Sequence, residues 1–251
     1  MKREKFGSRI GFILVSAGCA IGIGNVWKFP YLAGEMGGAA FILIYLLFLL
    51  IMGIPVLVCE FAIGRASRYS IAEAFETLEP EGTKWHWTKW IGILGSYLLM
   101  MFYTTVAGWM LYYCFRNIRG DFAGAGTKEV EAGFSQMLGN APVMGLWTFI
   151  LIAAGFGICW FGIQNGIEKV SKVMMSVLFL IMIVLAVRSV FLEGAGEGVR
   201  FYLIPDFQKM QEIGIGNVIF GAMSQAFFTL SIGIGAMMIF GSYMPKERSL
   251  T

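Results

Sequence analysis

The segment AGCAIGIGNVWKFPY, residues 17–31, holds a contradiction. Residues 10–27 carry no charge and are nearly long enough to cross a bilayer. Yet glycines stand at 18, 22 and 24, a polar Asn25 follows, and Lys28-Phe29-Pro30 ends the run. Glycine inside a helix costs about 1 kcal/mol relative to alanine. A membrane-length segment that concentrates weak helix formers near its middle needs a reason.

Working outward, the 251 residues are 57% hydrophobic and only 14% charged, where soluble domains are about a quarter charged. The deficit falls in uncharged runs at 10–27, 39–59, 90–115, 141–167, 173–187 and 213–245. A spanning helix needs roughly 20 apolar residues, so the pattern predicts an all-α, polytopic membrane protein of about six spans. Barrel strands would alternate over about ten residues, and these runs are too long and continuous for that. The spans are expected near 10–36, 39–64, 90–117, 142–163, 166–192 and 214–244, in a single bundle over 1–251. A short surface helix is expected within SIAEAFETL (70–78), another after Pro205-Asp206, and a glycine-rich loop at 118–141.

Lys and Arg number 12 on the side holding the N-terminus and 7 on the other. The positive-inside rule therefore places the N-terminus in the cytoplasm of a cell or plasma membrane. The first run lacks a small-residue cleavage site followed by a polar region and does not read as a signal peptide. Cys19, Cys59, Cys114 and Cys159 have no metal-ligand or CxxC spacing and read as free thiols packed as small hydrophobes. His86, among Trp85, Trp87 and Trp90, reads as part of an interfacial aromatic belt. There is no HExxH, no acid pair within a span and no nucleophile–histidine set, which argues against an intramembrane enzyme. The lipid bilayer is the expected surrounding, and no nucleic-acid partner is expected.

The last span repeats the contradiction. Its uncharged run of 33 residues contains FFTLSIGIGA (227–236), with Gly233 and Gly235 after Thr229 and Ser231. Gly18 and Gly22 taken alone also fit GxxxG helix packing. That reading leaves Asn25, Thr229 and Ser231 without a purpose. In hydrocarbon a helix break is tolerated only where protein buries it or it lines a cavity. A break exposes carbonyls that suit a cation and amides, at a positive dipole end, that suit a carboxylate. Two glycine-interrupted spans in one chain point to a transporter site at mid-membrane. Glu60, closing an apolar run, is either a buried partner for a broken helix or an interfacial acid.

Three stretches carry a resemblance: SRIGFILVSAGCAIGIGNVWKFPYLAGEMGGAAF with GIPVLVCEFAIGR, FFTLSIGIGAMMIFGSY, and GIEKVSK at 166–172. They closely resemble the first, second and sixth helices and the fourth-to-fifth junction of the neurotransmitter:sodium symporter family, whose bacterial LeuT is itself the reference case for a midplane site between broken helices. The resemblance implies the LeuT fold with helices 1 and 6 broken, and sodium-driven uptake of amino acids or related amines by alternating access.

By matching motif, it implies sodium ligation at Gly18, Ala20, Ile21, Asn25 and Thr229. It implies a substrate site from Ala20, Ile23, Gly24, Leu99, Tyr103, Phe228, Thr229, Ser231 and Ile234, mostly apolar, which favours a neutral, hydrophobic amino acid. Tyr45, Gln225 and Thr229 match positions that hold chloride in chloride-dependent relatives. Arg3, Phe6, Lys28, Tyr103, Phe228, Ser242 and Tyr243 match gate positions. Residue by residue, Asn25 alternatively caps the following half-helix, Tyr103 alternatively packs with its hydroxyl satisfied locally, and the basic N-terminus alternatively anchors at lipid headgroups.

Three residues depart from the family pattern. Lys28 and Phe6 stand where arginine and tryptophan are usual, and Ser176 stands where many members have proline. The chain also stops after the sixth helix, where the family has ten to twelve. An N-terminal part of a longer transporter is expected, with the remaining helices or a second chain completing it. The alternative is a truncated, non-transporting membrane module that needs or regulates a partner.

Overall fold

The computed structural model describes residues 9–22 and 24–244. All regular structure among them is helical. The order begins with α1 (Arg9–Ala20), a π-turn (Gly24–Lys28), α2 (Phe29–Glu35), α3 (Ala39–Phe48), a second π-turn (Leu49–Gly53), α4 (Ile54–Ser67) and α5 (Ile71–Leu78). It continues with α6 (Thr88–Arg119), α7 (Thr127–Leu138), α8 (Ala141–Trp160), a third π-turn (Ile163–Glu168) and α9 (Lys169–Val190). The last helices are α10 (Ala195–Leu203), α11 (Phe207–Ile213), α12 (Ile215–Leu230) and α13 (Ala236–Ser242).

Four stretches are long and apolar enough to cross a membrane: Ala39–Ser67, Trp85–Arg119, Ala141–Trp160 and Ile163–Val190. The α1/α2 pair, bent by 57°, makes a fifth span. The sixth candidate is α11 with α12, bent by 97°, and α13 follows α12 after a turn over 231–235. At 16 residues and about 1.5 Å per residue, α12 is too short to cross alone. The surface helix at 71–78 and the helix after Asp206 form as expected, Asp206 capping α11 by accepting from the Lys209 N–H at 3.0 Å. Two helices were not foreseen. The loop expected at 118–141 contains α7, and α10 precedes α11. Their glycines had masked a helical pattern, and in α7 Glu129 reaches back to the Gly126 N–H to start the helix.

The second span shows how sequence sets local geometry. Pro55 lies in the first turn of α4 and has no N–H to offer the preceding turn. The π-turn just ahead of it absorbs the misfit within a continuous helix. The turn between α2 and α3 is tight because Gly37 and Gly38 take φ of +89° and +65°.

Contacts divide the chain into two compact units, Met1–Ile93 with Ile163–Thr251, and Leu94–Gly162. In the first, α12 packs on α3 and α13 on α4. A buried cluster of Ala33, Phe41, Tyr45, Val218, Ala222 and Ala226 joins α2, α3 and α12. Lower down, a Cβ on Gly64 would fall on the Met238 backbone, and one on Gly241 would meet the Phe61 carbonyl. Small residues thus let α4 and α13 touch backbone to backbone, as membrane helix pairs do. In the second unit, Trp109, Tyr113 and Phe134 form an aromatic cluster, and Arg116 bonds Asp121 and lies over Phe122.

The thiols differ from expectation. No disulfide forms among them, but only Cys19 is even partly buried, and Cys59, Cys114 and Cys159 are exposed on helix surfaces. His86 does more than sit among tryptophans: its Nδ1 lies 2.8 Å from Glu79 Oε1. Trp85, Trp87 and Trp90 are exposed, as a belt requires.

Candidate functional site

The two breaks face each other. In the first, Asn25 N–H reaches only back to Gly22 O at 3.1 Å, and the π-turn then restarts the helix. In the second, Ser231, Gly233 and Gly235 take φ of +51°, +88° and +77°, so α12 cannot continue into α13. Left-handed backbone is cheap for glycine and costly for serine. Ser231 gains in return a hydrogen bond from its Oγ to the Cys19 carbonyl at 3.1 Å, across to the first break.

A directed chain of hydrogen bonds joins the breaks. Tyr45 OH donates to Thr229 Oγ1 at 3.0 Å. Thr229 donates to Asn25 Oδ1 at 3.0 Å, and Asn25 Nδ2 donates to the Ala20 carbonyl at 2.9 Å. Gln225 Nε2 donates to the Gly24 carbonyl at 3.1 Å, its Oε1 left without a partner. The oxygens gathered here, a carbonyl, an amide and a hydroxyl, are neutral. That donor set suits a hard monovalent cation. Among the described residues no group of three or more His, Cys, Asp or Glu could hold a metal ion.

Glu60, whose role had two readings, is a partner for the broken helix. It is 3% exposed, and its Oε1 accepts from the Gly233 N–H at 2.5 Å. It satisfies an amide that the break would otherwise leave bare in an apolar interior.

Of the residues expected at the site, Ala20, Gly24, Asn25, Tyr45, Gln225, Phe228, Thr229 and Ser231 come together in this network or pack against it. Gly24 has no room for a Cβ because the Phe228 ring occupies that space. Lys28 Nζ lies 5.3 Å from the centre of the same ring. Gly18 instead faces Met175 of α9, 3.3 Å from where its Cβ would be. Ile21 sits in the break, its N–H on the Ala17 carbonyl, and Ile234 lies within the second break. Leu99 and Tyr103 belong to α6 in the second unit. Ser242 and Tyr243 lie at the end of α13. Arg3, Phe6 and Ile23 lie outside the described residues.

Sequence reasoning passed over two groups. Arg68, at φ +64°, donates from Nη1 to the carbonyls of Ser242 (3.3 Å) and Met244 (2.9 Å) and so caps α13 from α4. Glu168, within the quoted GIEKVSK, is buried and was not weighed. For Arg68 the signal was a basic residue just past a helix end, which is too common to single out.

Broken first and sixth helices, packed on an unbroken second, define the helical arrangement of the LeuT fold. Comparison with known proteins gives the family. The profile of the "Sodium:neurotransmitter symporter family" matches residues 3–132 and 129–251, and the chain belongs to that family. An uncharacterised sodium-dependent transporter of Bacillus subtilis, YhdH, is 39% identical over 99% of this chain and 54% of its own length. A Methanocaldococcus jannaschii counterpart, MJ1319, is 34% identical over 100% of this chain and 51% of its own. The human sodium- and chloride-dependent taurine transporter is 29% identical over 96% of this chain. The crystal structure of MhsT in complex with L-phenylalanine superposes with a TM-score of 0.87 at 39% identity, covering 98% of this chain and 55% of that one. The chain therefore spans about half the length of the relatives it matches.

Proposed function

We propose that this chain is the N-terminal part, one transmembrane bundle, of a sodium-coupled symporter for a neutral, hydrophobic amino acid. It works by alternating access around the midplane site between helices 1 and 6. The single observation that carries the reading is the Tyr45–Thr229–Asn25–Ala20 chain across both breaks. Sodium takes the carbonyls of Gly18, Ala20 and Ile21, Asn25 Oδ1 and Thr229 Oγ1. Ala20 O, Asn25 Oδ1 and Thr229 Oγ1 each accept one hydrogen bond in this network and keep a second lone pair for the ion. The family resemblance assigns the substrate carboxylate to Ile23, Gly24 and Tyr103. Its amine meets carbonyls at Ala20 and Phe228, near Ser231. The family resemblance assigns Leu99, Phe228 and Ile234 to the substrate side chain. No formal protein charge is then needed at the bilayer centre, where one is expensive. Substrate and sodium raise each other's affinity by the same factor.

The apolar side chains among the assigned residues and the phenylalanine bound to MhsT support a hydrophobic substrate. Tyr45, Gln225 and Thr229 form the anion side of the network, and chloride is the ion to test there. Lys28 over Phe228, and Ser242 and Tyr243 with the N-terminal Arg3 and Phe6, serve as outer and inner gates. The N-terminus is cytoplasmic. Uptake of radiolabelled phenylalanine by the complete transporter in proteoliposomes, with sodium against potassium outside, tests the reading. Saturable uptake indifferent to sodium would sink it. A second reading, a non-transporting module that regulates a partner chain, is favoured only by the half-length match. Co-purification with a longer relative, without uptake by either chain alone, would support it.

A further inference from the structure

Gly53 is buried at the end of the π-turn Leu49–Gly53. Its φ of −62° and ψ of −54° are ordinary helical values that any residue adopts. The backbone there has no need of glycine, which costs a helix about 1 kcal/mol relative to alanine. The need is for space. A Cβ built on Gly53 would lie 2.5 Å from Leu230 Cδ1, with Leu230 Cγ at 3.8 Å and Leu49 Cδ2 at 3.6 Å. A Leu230 methyl thus fills the hole that glycine leaves, and Leu49 borders the same hole.

Residues four apart share a face of a helix, so Tyr45, Leu49 and Gly53 form one line along the second span. That line meets the end of α12 at two consecutive residues. Tyr45 OH donates to Thr229 Oγ1 at 3.0 Å, and Gly53 seats Leu230, the last residue of α12. Directly beyond, the chain turns left-handed at Ser231, φ +51°. Hydrogen bonds to Tyr45 and Asn25 hold the hydroxyl end of Thr229. The seat under Leu230 holds the backbone that carries it.

We propose that Gly53 and Leu230 are positioning residues of the sodium site. Leu230, lodged in the gap at Gly53, sets the rotation and depth of the end of α12 and so aims Thr229 Oγ1 at the ion. Neither residue touches the ion. A methyl at position 53 evicts Leu230, turns the end of α12 and carries the Thr229 hydroxyl off its line. The proposal rests on the symporter reading of the preceding section, in which Thr229 is a sodium ligand.

The probe is sodium alone, titrated against potassium at constant ionic strength into the purified complete transporter. Binding is read as the rise in melting temperature, which grows with sodium above its dissociation constant. Gly53→Ala should move that rise to roughly tenfold higher sodium, the order of one hydrogen-bonding group facing a charge. A merely structural role would lower the melting temperature equally at every sodium concentration and leave the titration midpoint alone. Leu230→Val removes the δ carbons. Each substitution alone should weaken sodium binding, yet Gly53→Ala with Leu230→Val should regain most of what Gly53→Ala loses, the coupling expected of two residues in contact. An unmoved midpoint in Gly53→Ala, or losses that multiply in the double variant, would overturn the seat. Should Gly53→Ala not fold, Leu230→Ala, which empties the hole without a clash, should raise the midpoint several-fold, and an unmoved midpoint there is equally fatal. A parent that sodium stabilises no more than potassium does counts against the symporter reading, and the seat falls with it. A sodium-stabilised parent whose midpoint these variants leave in place counts against the seat alone.

Discussion

Thr229 Oγ1 lies 3.0 Å from Asn25 Oδ1, a bond between residues 204 positions apart, each at the edge of a helix break. Thr229→Val keeps the shape and removes the hydroxyl. It should lower apparent sodium affinity by roughly 10- to 100-fold, the range for a hydrogen-bonding group facing a charge. Sodium titration of labelled substrate binding checks this. Unchanged sodium dependence would remove Thr229 from the ion site.

Glu60 holds the Gly233 N–H. Glu60→Leu strands that amide, and stability should fall by about 1–3 kcal/mol. Glu60→Gln keeps an acceptor and should lose less. Thermal unfolding of detergent-purified protein separates the two, and equal losses would mean the contact is incidental.

Gly64 and Gly34 make a matched contrast. Gly64→Ala drives a methyl into the Met238 backbone, whereas a Cβ at Gly34 meets nothing within 4 Å. Overpacking at Gly64 should cost about 1–3 kcal/mol, and Gly34→Ala should be neutral or stabilising by up to about 1 kcal/mol. Melting temperatures of the two variants should therefore move in opposite directions or differ several-fold.

Glu79 gives a pH signature in the loop between α5 and α6. Desolvation raises its pKa, but N–H groups of His86 and Trp85 and the His86 ring outweigh this, and the net shift is down from the usual carboxylate range. A lowered carboxylate pKa contributes stability that is complete above the unfolded value of about 4.3. That contribution drains away as pH falls through the lower folded value. Protection of the amides around Glu79–Trp87, measured against their intrinsic exchange rates at each pH, should therefore fall below about pH 4.5, and Glu79→Gln should already show the lower protection at neutral pH. A pH profile identical in the variant would rule the contact out.

Much of this was legible in residue order, for reasons that can be named. Charge-free runs marked the spans because hydrocarbon excludes charge. Gly18–Asn25 and Thr229–Gly235 marked the breaks because their glycines come with polar residues that helix packing alone leaves unexplained. The helices α7 and α10 escaped notice because glycine-bearing loops and short amphipathic helices share a composition. Glu60 stayed ambiguous until Gly233 was seen opposite it, since only the fold brings residues 60 and 233 within bonding distance. Glu168 escaped for the same reason: its carboxylate lies against Gly11, which has no side chain to announce a contact.

The π-turn at Leu49–Gly53 has a consequence for angular phase. It adds backbone between α3, which bears Tyr45, and α4, which bears Glu60, and one residue of helix turns side chains by about 100°. Tyr45 meets the sixth helix at Thr229, just before its break, and Glu60 meets it at Gly233, within the break. A straightened second helix would aim one of them away from the sixth helix. The proline that forces the bulge is thus the compass needle that lets a single unbroken rod address both halves of a broken one.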